Sequence, residues 1–205
     1  FQNKTMYPTD DQSAAIFADD VNHDMKLDLL MVSGYRKTLS VLLGNGDGTF
    51  QNVTAYPTGR NPQSIVTGDF NQDGNVDVAV TNNYDNNVGI FFGHGDGTFQ
   101  TQKTYPTGGN PKSLATGDFN HDERLDLAVT NFADNTVGLL LGHGDGTFQN
   151  QTTFSTGDHP IFIVVRDIND DMNLDLLVTN YGDINLSLYY NGNGISVLLG
   201  NGNGT

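Results

Sequence analysis

The chain has 205 residues, of which 24 are acidic and 9 are basic, so its formal net charge is −15 at pH 7. Because nucleic acids and anionic membranes attract basic surfaces, this charge argues against both as partners. The absence of cysteine excludes disulfides, thiolate metal sites and cysteine nucleophiles, and no apolar run approaches the ~20 residues that span a bilayer.

The sequence repeats with a period of 49 residues. Three series keep this spacing: Phe1, Phe50, Phe99 and Phe148; Tyr7, Tyr56, Tyr105 and Phe154; and Asp20, Asp69, Asp118 and Asp167. Four repeats, with nine extra residues in the fourth near the stretch LSLYYNGNG, account for all 205 residues. We therefore predict a single domain over residues 1–205.

Each repeat predicts four strands, and the second repeat gives them in chain order. Residues 63–70 form a short apolar strand that leads into an acidic loop. Residues 76–82 are apolar at most positions, as in a strand covered on both faces, and residues 87–93 precede a glycine-rich hairpin turn. Residues 98–108 are more polar and contain a proline, which suits an outer edge strand. Four-stranded repeats of this length are typical of β-propellers, so the predicted fold is all-β, with blades of four antiparallel strands.

The two ends of the chain predict how the blades close. The sequence stops at GNGNGT, where the other repeats continue with Phe-Gln, and it starts with FQNKTMYPT. We therefore predict that residues 1–9 form the outer strand of the last blade and close a ring of four blades. The alternative is a segment of a longer array, and a chain that starts at Phe1 is compatible with a mature domain or an excised segment.

An acidic loop follows the first strand of every repeat, with side-chain oxygens at positions 1, 3, 5 and 9 and a backbone carbonyl within reach at position 7. Oxygen ligands in a short flexible loop suit Ca²⁺, whereas Mg²⁺ demands stricter geometry and zinc or copper prefers histidine or cysteine. An EF-hand is excluded because position 12 is never glutamate. The alternative is an Asp/Asn-rich turn that only bonds its own backbone. The predicted ligands of up to four calcium ions are Asp20, Asn22, Asp24, Lys26 and Asp28; Asp69, Asn71, Asp73, Asn75 and Asp77; Asp118, Asn120, Asp122, Arg124 and Asp126; and Asp167, Asn169, Asp171, Asn173 and Asp175.

Position 6 of the acidic loop distinguishes the four copies. Only the second loop has glycine there, Gly74, whereas the others have Met25, Glu123 and Met172. If position 6 needs a positive φ, those three side chains add strain and the four calcium affinities should differ.

The spacing D-x-N-x-D-G-x-x-D between two strands, followed by VDVAVTN, resembles the FG-GAP/VCBS repeats of integrin α-subunit propellers and related secreted proteins. The resemblance covers all four repeats. It implies a calcium-bearing β-propeller, with the metal in the loop that joins the first and second strands of a blade. Known members commonly have seven blades, so a ring of four would be a departure.

Catalysis is not expected from this sequence. Serine, histidine and aspartate all occur, but no nucleophile elbow is present. His94 and His143 are interpreted as solvated turn residues, and His23 and His121 as residues of the acidic loops that point away from the ion. Five N-glycosylation sequons, together with calcium chemistry and the absence of cysteine, indicate an extracellular protein.

Two classes of function are compatible with the sequence, an adhesion-type module that binds a protein and a calcium-stabilised lectin that binds glycans. A purely structural spacer is a third possibility. The resemblance implies a ligand face opposite the calcium loops, where amide, carboxylate and aromatic groups suit sugars but suit turn capping equally well. The nine-residue insertion adds two tyrosines, and it either marks the partner site or is a tolerated extension of a loop. The candidate ligand residues are Asn82, Tyr84, Asp85, Asn131, Phe132, Asp134, Asn180, Tyr181, Asp183, Tyr189 and Tyr190.

Overall fold

A computed structural model of the chain describes residues 6–7, 13–182 and 193–204. Within these ranges it contains four antiparallel sheets, which we call blades 1 to 4. Blade 1 comprises β1 (Ser13–Asp19), β2 (Asp28–Ser33), β3 (Thr38–Leu42) and β4 (Thr54–Pro57). Blade 2 comprises β5 (Pro62–Gly68), β6 (Asp77–Asn82), β7 (Asn87–Phe91) and β8 (Lys103–Pro106), with a short 3-10 helix at Asn83–Asp85.

The second half of the chain repeats this order. Blade 3 comprises β9 (Pro111–Gly117), β10 (Asp126–Asn131), β11 (Thr136–Leu140) and β12 (Thr152–Ser155). Blade 4 has three strands among the described residues, β13 (Pro160–Arg166), β14 (Asp175–Tyr181) and β15 (Asn193–Leu198). The all-β fold and the blade-like antiparallel sheets predicted from the sequence are therefore confirmed.

Burial along each blade follows the sequence pattern. All six residues of β6 and of β10 are buried, as expected for a strand that is covered on both faces. Each outer strand is exposed at every position except one, where an aromatic residue such as Tyr56 of β4 is half-buried. The outer strand predicted over residues 98–108 is too long, because β8 covers only Lys103–Pro106 and Phe99 forms an isolated bridge with Gly93.

The hydrophobic core lies between the blades. The first strands of consecutive blades pack together, β1 on β5, β5 on β9 and β9 on β13. Each junction encloses its own apolar cluster, for example Val88 and Ile90 of blade 2 against Leu114 and Leu127 of blade 3. Burial of aliphatic side chains at about 25 cal/mol per Å² is the main favourable term in such stacking.

Aromatic pairs pack the outer part of the junctions of blade 2 with blades 1 and 3. The ring of Tyr56 in blade 1 meets that of Phe99 in blade 2 edge-on at 5.7 Å, and the Phe99 N–H donates to the Tyr56 hydroxyl at 3.2 Å. Tyr7 makes the same two contacts with Phe50 of blade 1, at 5.4 Å and 3.2 Å. Tyr7 therefore lies where the outer strand of a blade in front of blade 1 would place its tyrosine.

Ring closure is not seen in the described part of the chain. The contacts that join consecutive inner strands have no counterpart of similar extent between β1 and β13 among the described elements. Most of residues 1–9, predicted to supply the closing strand, lie outside the described residues. A ring of four blades stays a prediction.

Candidate functional site

The acidic loops have the same backbone form in all four blades. In the second loop, the N–H groups of Asp73 and Gly74 donate to the two carboxylate oxygens of Asp69, at 3.1 and 2.9 Å. The position-1 aspartates of the other loops, Asp20, Asp118 and Asp167, accept the same two bonds. The first aspartate therefore folds the loop back over itself.

Positions 3 and 5 extend this pattern. The Asp73 N–H also donates to Asn71 Oδ1 at 3.1 Å, and the Asn75 N–H donates to Asp73 Oδ1 at 2.8 Å. Since the side-chain oxygens of Asp69 and Asn71 bond the same N–H group, they converge on one point. Asn22, Asp24, Asn120, Asp122, Asn169 and Asp171 repeat the arrangement.

Two positions of each loop have a left-handed backbone. Position 6 has a positive φ in every copy, 84° at Gly74 but 63° at Met25, 63° at Glu123 and 68° at Met172. The strain expected from the sequence at the three non-glycine residues is therefore present. Position 4 is also left-handed, at His23, Gln72, His121 and Asp170, although none of these residues is glycine. Each such residue costs about 1 kcal/mol relative to glycine.

The position-9 aspartate is buried and ties three segments of its blade together. In blade 2 the carboxylate of Asp77 accepts the Phe70 N–H at 3.0 Å and the Gly93 N–H at 2.9 Å. Phe70 lies in the acidic loop, Asp77 begins the second strand, and Gly93 follows the third. A Cβ on Gly93 would lie 2.2 Å from the Val76 carbonyl oxygen, so only glycine brings its N–H this close. Asp28, Asp126 and Asp175 make the equivalent pairs of bonds.

Burial shifts the titration of these aspartates. Desolvation raises the pKa of Asp77 to about 6, the two N–H bonds oppose that rise, and the negative charges of Asp73 and Asp69 add to it. The pKa of Asp126 is raised to about 6 for the same reasons, and that of Asp28 is raised as well. The carboxylates of one loop are therefore close enough to repel one another.

Mild acid should stabilise the metal-free chain. The folded state keeps protons on Asp77 and Asp126 up to a pKa of about 6, whereas the unfolded chain releases them near 3.8. The folded state thus binds more protons between these values, and stability falls as pH rises through 6. Lowering the pH from 7 to 5 should add about 1 kcal/mol for each group. Thermal melts in chelator at both pH values test this, and a lower melting temperature at pH 5 would contradict it.

The fit of these loops to calcium can be judged from their oxygen atoms. Each loop offers three carboxylates and an amide oxygen, the hard donors that Ca²⁺ prefers, and each carboxylate has lone pairs beyond those used by backbone N–H groups. Within the described residues, however, no group of three or more acidic or histidine side chains is already arranged around a metal position. The oxygen ligands of each loop therefore suit calcium. The hydrogen bonds within the loops are also those of an Asp/Asn-rich turn that bonds its own backbone.

Position 7 differs among the loops in a way that affects charge. Lys26 Nζ lies 3.1 Å from Asp24 in the first loop, and Arg124 lies 3.6 Å from Asp122 in the third. Both pairs are partly exposed and therefore weak. They nevertheless place a cation beside carboxylates that are predicted to bind metal, which lowers the expected affinity of loops one and three.

Neighbouring loops touch through position 4. His23 Nε2 lies 3.4 Å from Asn75 Oδ1 of the next loop, and His121 Nε2 lies 3.0 Å from Asn173 Oδ1. Between the second and third loops, Gln72 Nε2 donates to the Glu123 carbonyl at 3.1 Å. These contacts cross the blade junctions and have no signature within a single repeat, so sequence reasoning missed them.

The candidate ligand face lies at the other end of the second strands. β6 begins with Asp77 and ends with Asn82, so the two groups of candidate residues are a strand length apart. Asn82, Asn131 and Asn180 are buried and donate within their own blades, for example to Asn87 Oδ1 at 2.8 Å from Asn82. The amides of Asn82 and Asn131 span the turn between the second and third strands, whereas that of Asn180 bonds Ser196 Oγ in β15.

Aromatic and charged groups remain accessible around those asparagines. Tyr84 and Tyr181 are exposed, and Asp85 accepts bonds from the backbone and guanidinium of Arg60. The Gly109 N–H donates to Asp134 at 2.7 Å.

A second cluster on this face surrounds Phe132. Its ring lies 4.6 Å from that of His159, and Lys112 Nζ lies 5.4 Å above it. Asp183, Tyr189 and Tyr190 lie outside the described residues.

Comparison with family models decides what kind of repeat this is. The FG-GAP-like repeat model matches residues 20–80, 69–129 and 119–178, and each match runs from an acidic loop to the second strand of the next blade. The chain belongs to the FG-GAP-like repeat family. The resemblance drawn from the spacing of the acidic residues is confirmed, and the FG-GAP-like repeats here correspond to the blades of a β-propeller.

Solved structures show the same fold at low sequence identity. A lectin from Agrocybe aegerita that recognises non-reducing terminal N-acetylglucosamine is 20% identical, with a TM-score of 0.57, over 90% of this chain and 52% of that one. BBS1N, solved in complex with ARL6DN, is 13% identical, with a TM-score of 0.59, over 83% of this chain and 51% of that one. A protein of unknown function from Desulfotomaculum acetoxidans is 16% identical, with a TM-score of 0.57, over 90% and 56%.

This FG-GAP-like chain therefore spans about half the length of these structures. No curated protein sequence matches it. Within the described ranges, no helix has the length and apolar character needed to cross a bilayer.

Proposed function

We propose that the chain is an extracellular, calcium-stabilised binding module rather than an enzyme, with calcium in the acidic loops and a protein partner on the face where the second strands end. The proposal rests on the acidic loop, which has the same hydrogen bonds in all four blades. Burial and, to a smaller extent, neighbouring carboxylates raise the pKa of the position-9 aspartates Asp77 and Asp126. A divalent cation bound in each loop would relieve the repulsion among its carboxylate oxygens.

Five residues of the second loop would supply the oxygen ligands of the ion. Asp69, Asn71 and Asp73 would present side-chain oxygens to the ion, and Asn75 would present its backbone carbonyl. Asp77 already accepts two N–H groups, so its remaining lone pairs would complete the set while it holds the loop to the sheet. Bound calcium supplies positive charge that cancels the repulsion among the carboxylates.

The four-blade ring predicted from the sequence belongs to the same proposal. Tyr7 supports a closing strand, because it packs on Phe50 as Tyr56 packs on Phe99. Blade 4 has three described strands and would accept such a strand at β15.

A lectin is the second candidate function. It is favoured by the likeness to the Agrocybe aegerita lectin together with the accessible aromatic rings of Tyr84 and Tyr181, since aromatic faces stack on sugar rings. Acidic and amide groups such as Asp85 and Asn86 lie beside Tyr84 and could accept bonds from sugar hydroxyls.

A glycan array probed with and without calcium separates the two candidates. If the chain is a lectin, we expect calcium-dependent retention on a small set of glycans, reduced at least tenfold by Tyr84→Ala. Met25→Ala serves as the control, because this exposed side chain lies in an acidic loop at the opposite end of the blades. An array with no retained glycan in calcium would exclude the lectin and leave the protein-binding module. Retention that Tyr84→Ala does not change would place the glycan elsewhere.

A further inference from the structure

Charge is separated between the two ends of the blades. Among the described residues, acidic side chains lie in the acidic loops, the adjoining strand ends and the glycine-rich turns, all at one end, with the exceptions of Asp85, Asp134 and Asp158. The other end, which is the candidate ligand face, combines these three with the basic residues Arg36, Lys37, Arg60 and Lys112. Most of the net charge of −15 therefore lies at the end with the acidic loops, and the candidate ligand face has no excess of negative charge in the described part of the chain.

Lys112 is a half-buried cation on this face. It is the second residue of β9, and its Nζ lies 5.4 Å above the ring of Phe132. No acidic side chain in the described ranges pairs with it, and burial alone lowers its pKa. The equivalent residues of β5 and β13 are Gln63 and Ile161, so the blade does not require a charge at this position. A cation that is partly withdrawn from water without a counter-ion favours the binding of a carboxylate.

The aromatic ring under this lysine is held in place from two blades. The Phe132 N–H donates to the Asn110 carbonyl at 3.2 Å, and the ring packs on that of His159 at 4.6 Å. His159 Nδ1 lies 3.0 Å from the Gly182 carbonyl oxygen, which can only accept, so this nitrogen carries the proton and the imidazole is fixed. The Lys112 ammonium therefore lies over a well-supported ring, where a cation–π contact favours its position.

Hydrogen bonds across the blades connect Lys112 to a second cation. The Arg60 guanidinium donates to the Tyr84 carbonyl at 2.9 Å. Next to Tyr84, Asn83 Nδ2 donates at 3.0 Å to the carbonyl of Pro111, the residue that precedes Lys112. Tyr84 itself is exposed. Arg60, Tyr84 and Lys112, which we call the cationic row, thus run from the start of blade 2 to the start of blade 3.

We propose that the cationic row binds an acidic segment of a protein partner, with one carboxylate of that segment on Lys112. This inference rests on the proposed function, which puts a protein partner on this face, and it adds the chemistry of the partner. An extended peptide advances about 3.3 Å per residue, so its acidic side chains can reach cations that belong to different blades. The acidic loops repel the same segment at the opposite end, so the separation of charge directs it to this face.

Fluorescence anisotropy of a labelled peptide of alternating glutamate and glycine, titrated with the full chain in calcium, tests the proposal. We expect saturable binding that weakens as the salt concentration rises, and binding at least tenfold weaker to a peptide of alternating glutamine and glycine. Lys112→Met should weaken binding of the glutamate peptide at least fivefold, because it removes the charge and keeps an unbranched side chain beside Phe132. Lys112→Arg retains a cation and should keep most of the affinity.

Lys103→Met is the matched control for Lys112→Met. Lys103 Nζ lies 5.5 Å from the centre of the Tyr105 ring, much as Lys112 lies over Phe132, but it is an exposed residue of the outer strand β8. This variant should leave the affinity for the glutamate peptide unchanged. Equal losses in the two variants, or no loss in Lys112→Met, would overturn the proposal, and so would a glutamate peptide that does not bind.

An oligogalacturonate of similar length and charge distinguishes a peptide from an acidic glycan. Tighter binding of this carboxylated glycan than of the glutamate peptide would overturn the assignment to a protein segment. Melting temperatures of the same samples in calcium and in chelator separate this proposal from the proposed function. A normal response to calcium without peptide binding would refute only the acidic partner, whereas a missing response to calcium would refute the calcium-stabilised module.

Discussion

Removal of calcium is expected to lower the melting temperature steeply. Each acidic loop gathers three carboxylates, and the pKa of Asp77 and of Asp126 is raised chiefly by burial and in smaller part by the neighbouring carboxylates. For affinities of about 10⁻⁴–10⁻³ M, calcium at ten times the dissociation constant stabilises by ~1.4 kcal/mol per site. Four sites give roughly 5–6 kcal/mol, which for a domain of this size is on the order of 10–20 °C.

Calorimetry in chelator, in calcium and in magnesium measures this effect. Calcium should restore the melting temperature, and magnesium at equal concentration should restore less of it, since Mg²⁺ demands a stricter geometry. With calcium present, acid should destabilise the fold because protonated carboxylates release the ion. This is opposite to the effect of acid expected in chelator. A metal-free sample that melts at the temperature of the calcium-loaded one would show that calcium does not hold this fold together.

The paired variants Asp73→Ala and Asp77→Ala should separate metal binding from blade architecture. Asp77 is buried and accepts the N–H groups of Phe70 and Gly93, so its loss leaves two buried donors unsatisfied. We expect it to cost about 3–5 kcal/mol in chelator and about 1.4 kcal/mol more in calcium, because one calcium site is lost with it. Asp73 is exposed, so its loss should cost about 1.4 kcal/mol in calcium, a quarter of the total effect, and almost nothing in chelator.

Urea unfolding with and without calcium distinguishes the two variants. Asp96→Ala is the control, because Asp96 is an exposed turn residue that bonds Thr98 and is not a predicted metal ligand. Equal losses for Asp73→Ala in calcium and in chelator would mean that the loop is only a self-bonded turn. A small loss for Asp77→Ala in chelator would mean that its two hydrogen bonds do not hold the blade.

The sequence predicts local features of this fold well, because those features depend on residues close together in the chain. The alternation and apolar content of residues 76–82 predict the fully buried strand β6, and the 49-residue period predicts the repetition of blades. The positive φ at position 6 of the loops follows from the one copy that has Gly74.

Features that depend on chain segments meeting in space could not be predicted. The bond from Gly93 to Asp77 spans 16 residues, and the contact from His121 to Asn173 crosses between blades. On the ligand face, Asn82 was a candidate because amides bind sugars, but its neighbours in three dimensions use its hydrogen-bonding groups. Likewise, Ile195 and Val197 have the same apolar character as the buried Val88 and Ile90 at the equivalent positions. They are exposed because no described blade packs against that side of blade 4.

The buried aspartates imply a particular order of opening for the molecule. Every bond to Asp77 comes from its own repeat, whereas the apolar clusters lie between repeats, so each blade is a local unit that is stabilised by its neighbours. Among the described elements, blades 2 and 3 pack against a neighbour on both sides, and blades 1 and 4 pack against one. Amide hydrogens of the central blades, such as those of Phe70 and Gly142, should therefore exchange with solvent most slowly, and the equivalent hydrogens of Val21 and Gly200 should exchange earlier as the array frays from its ends.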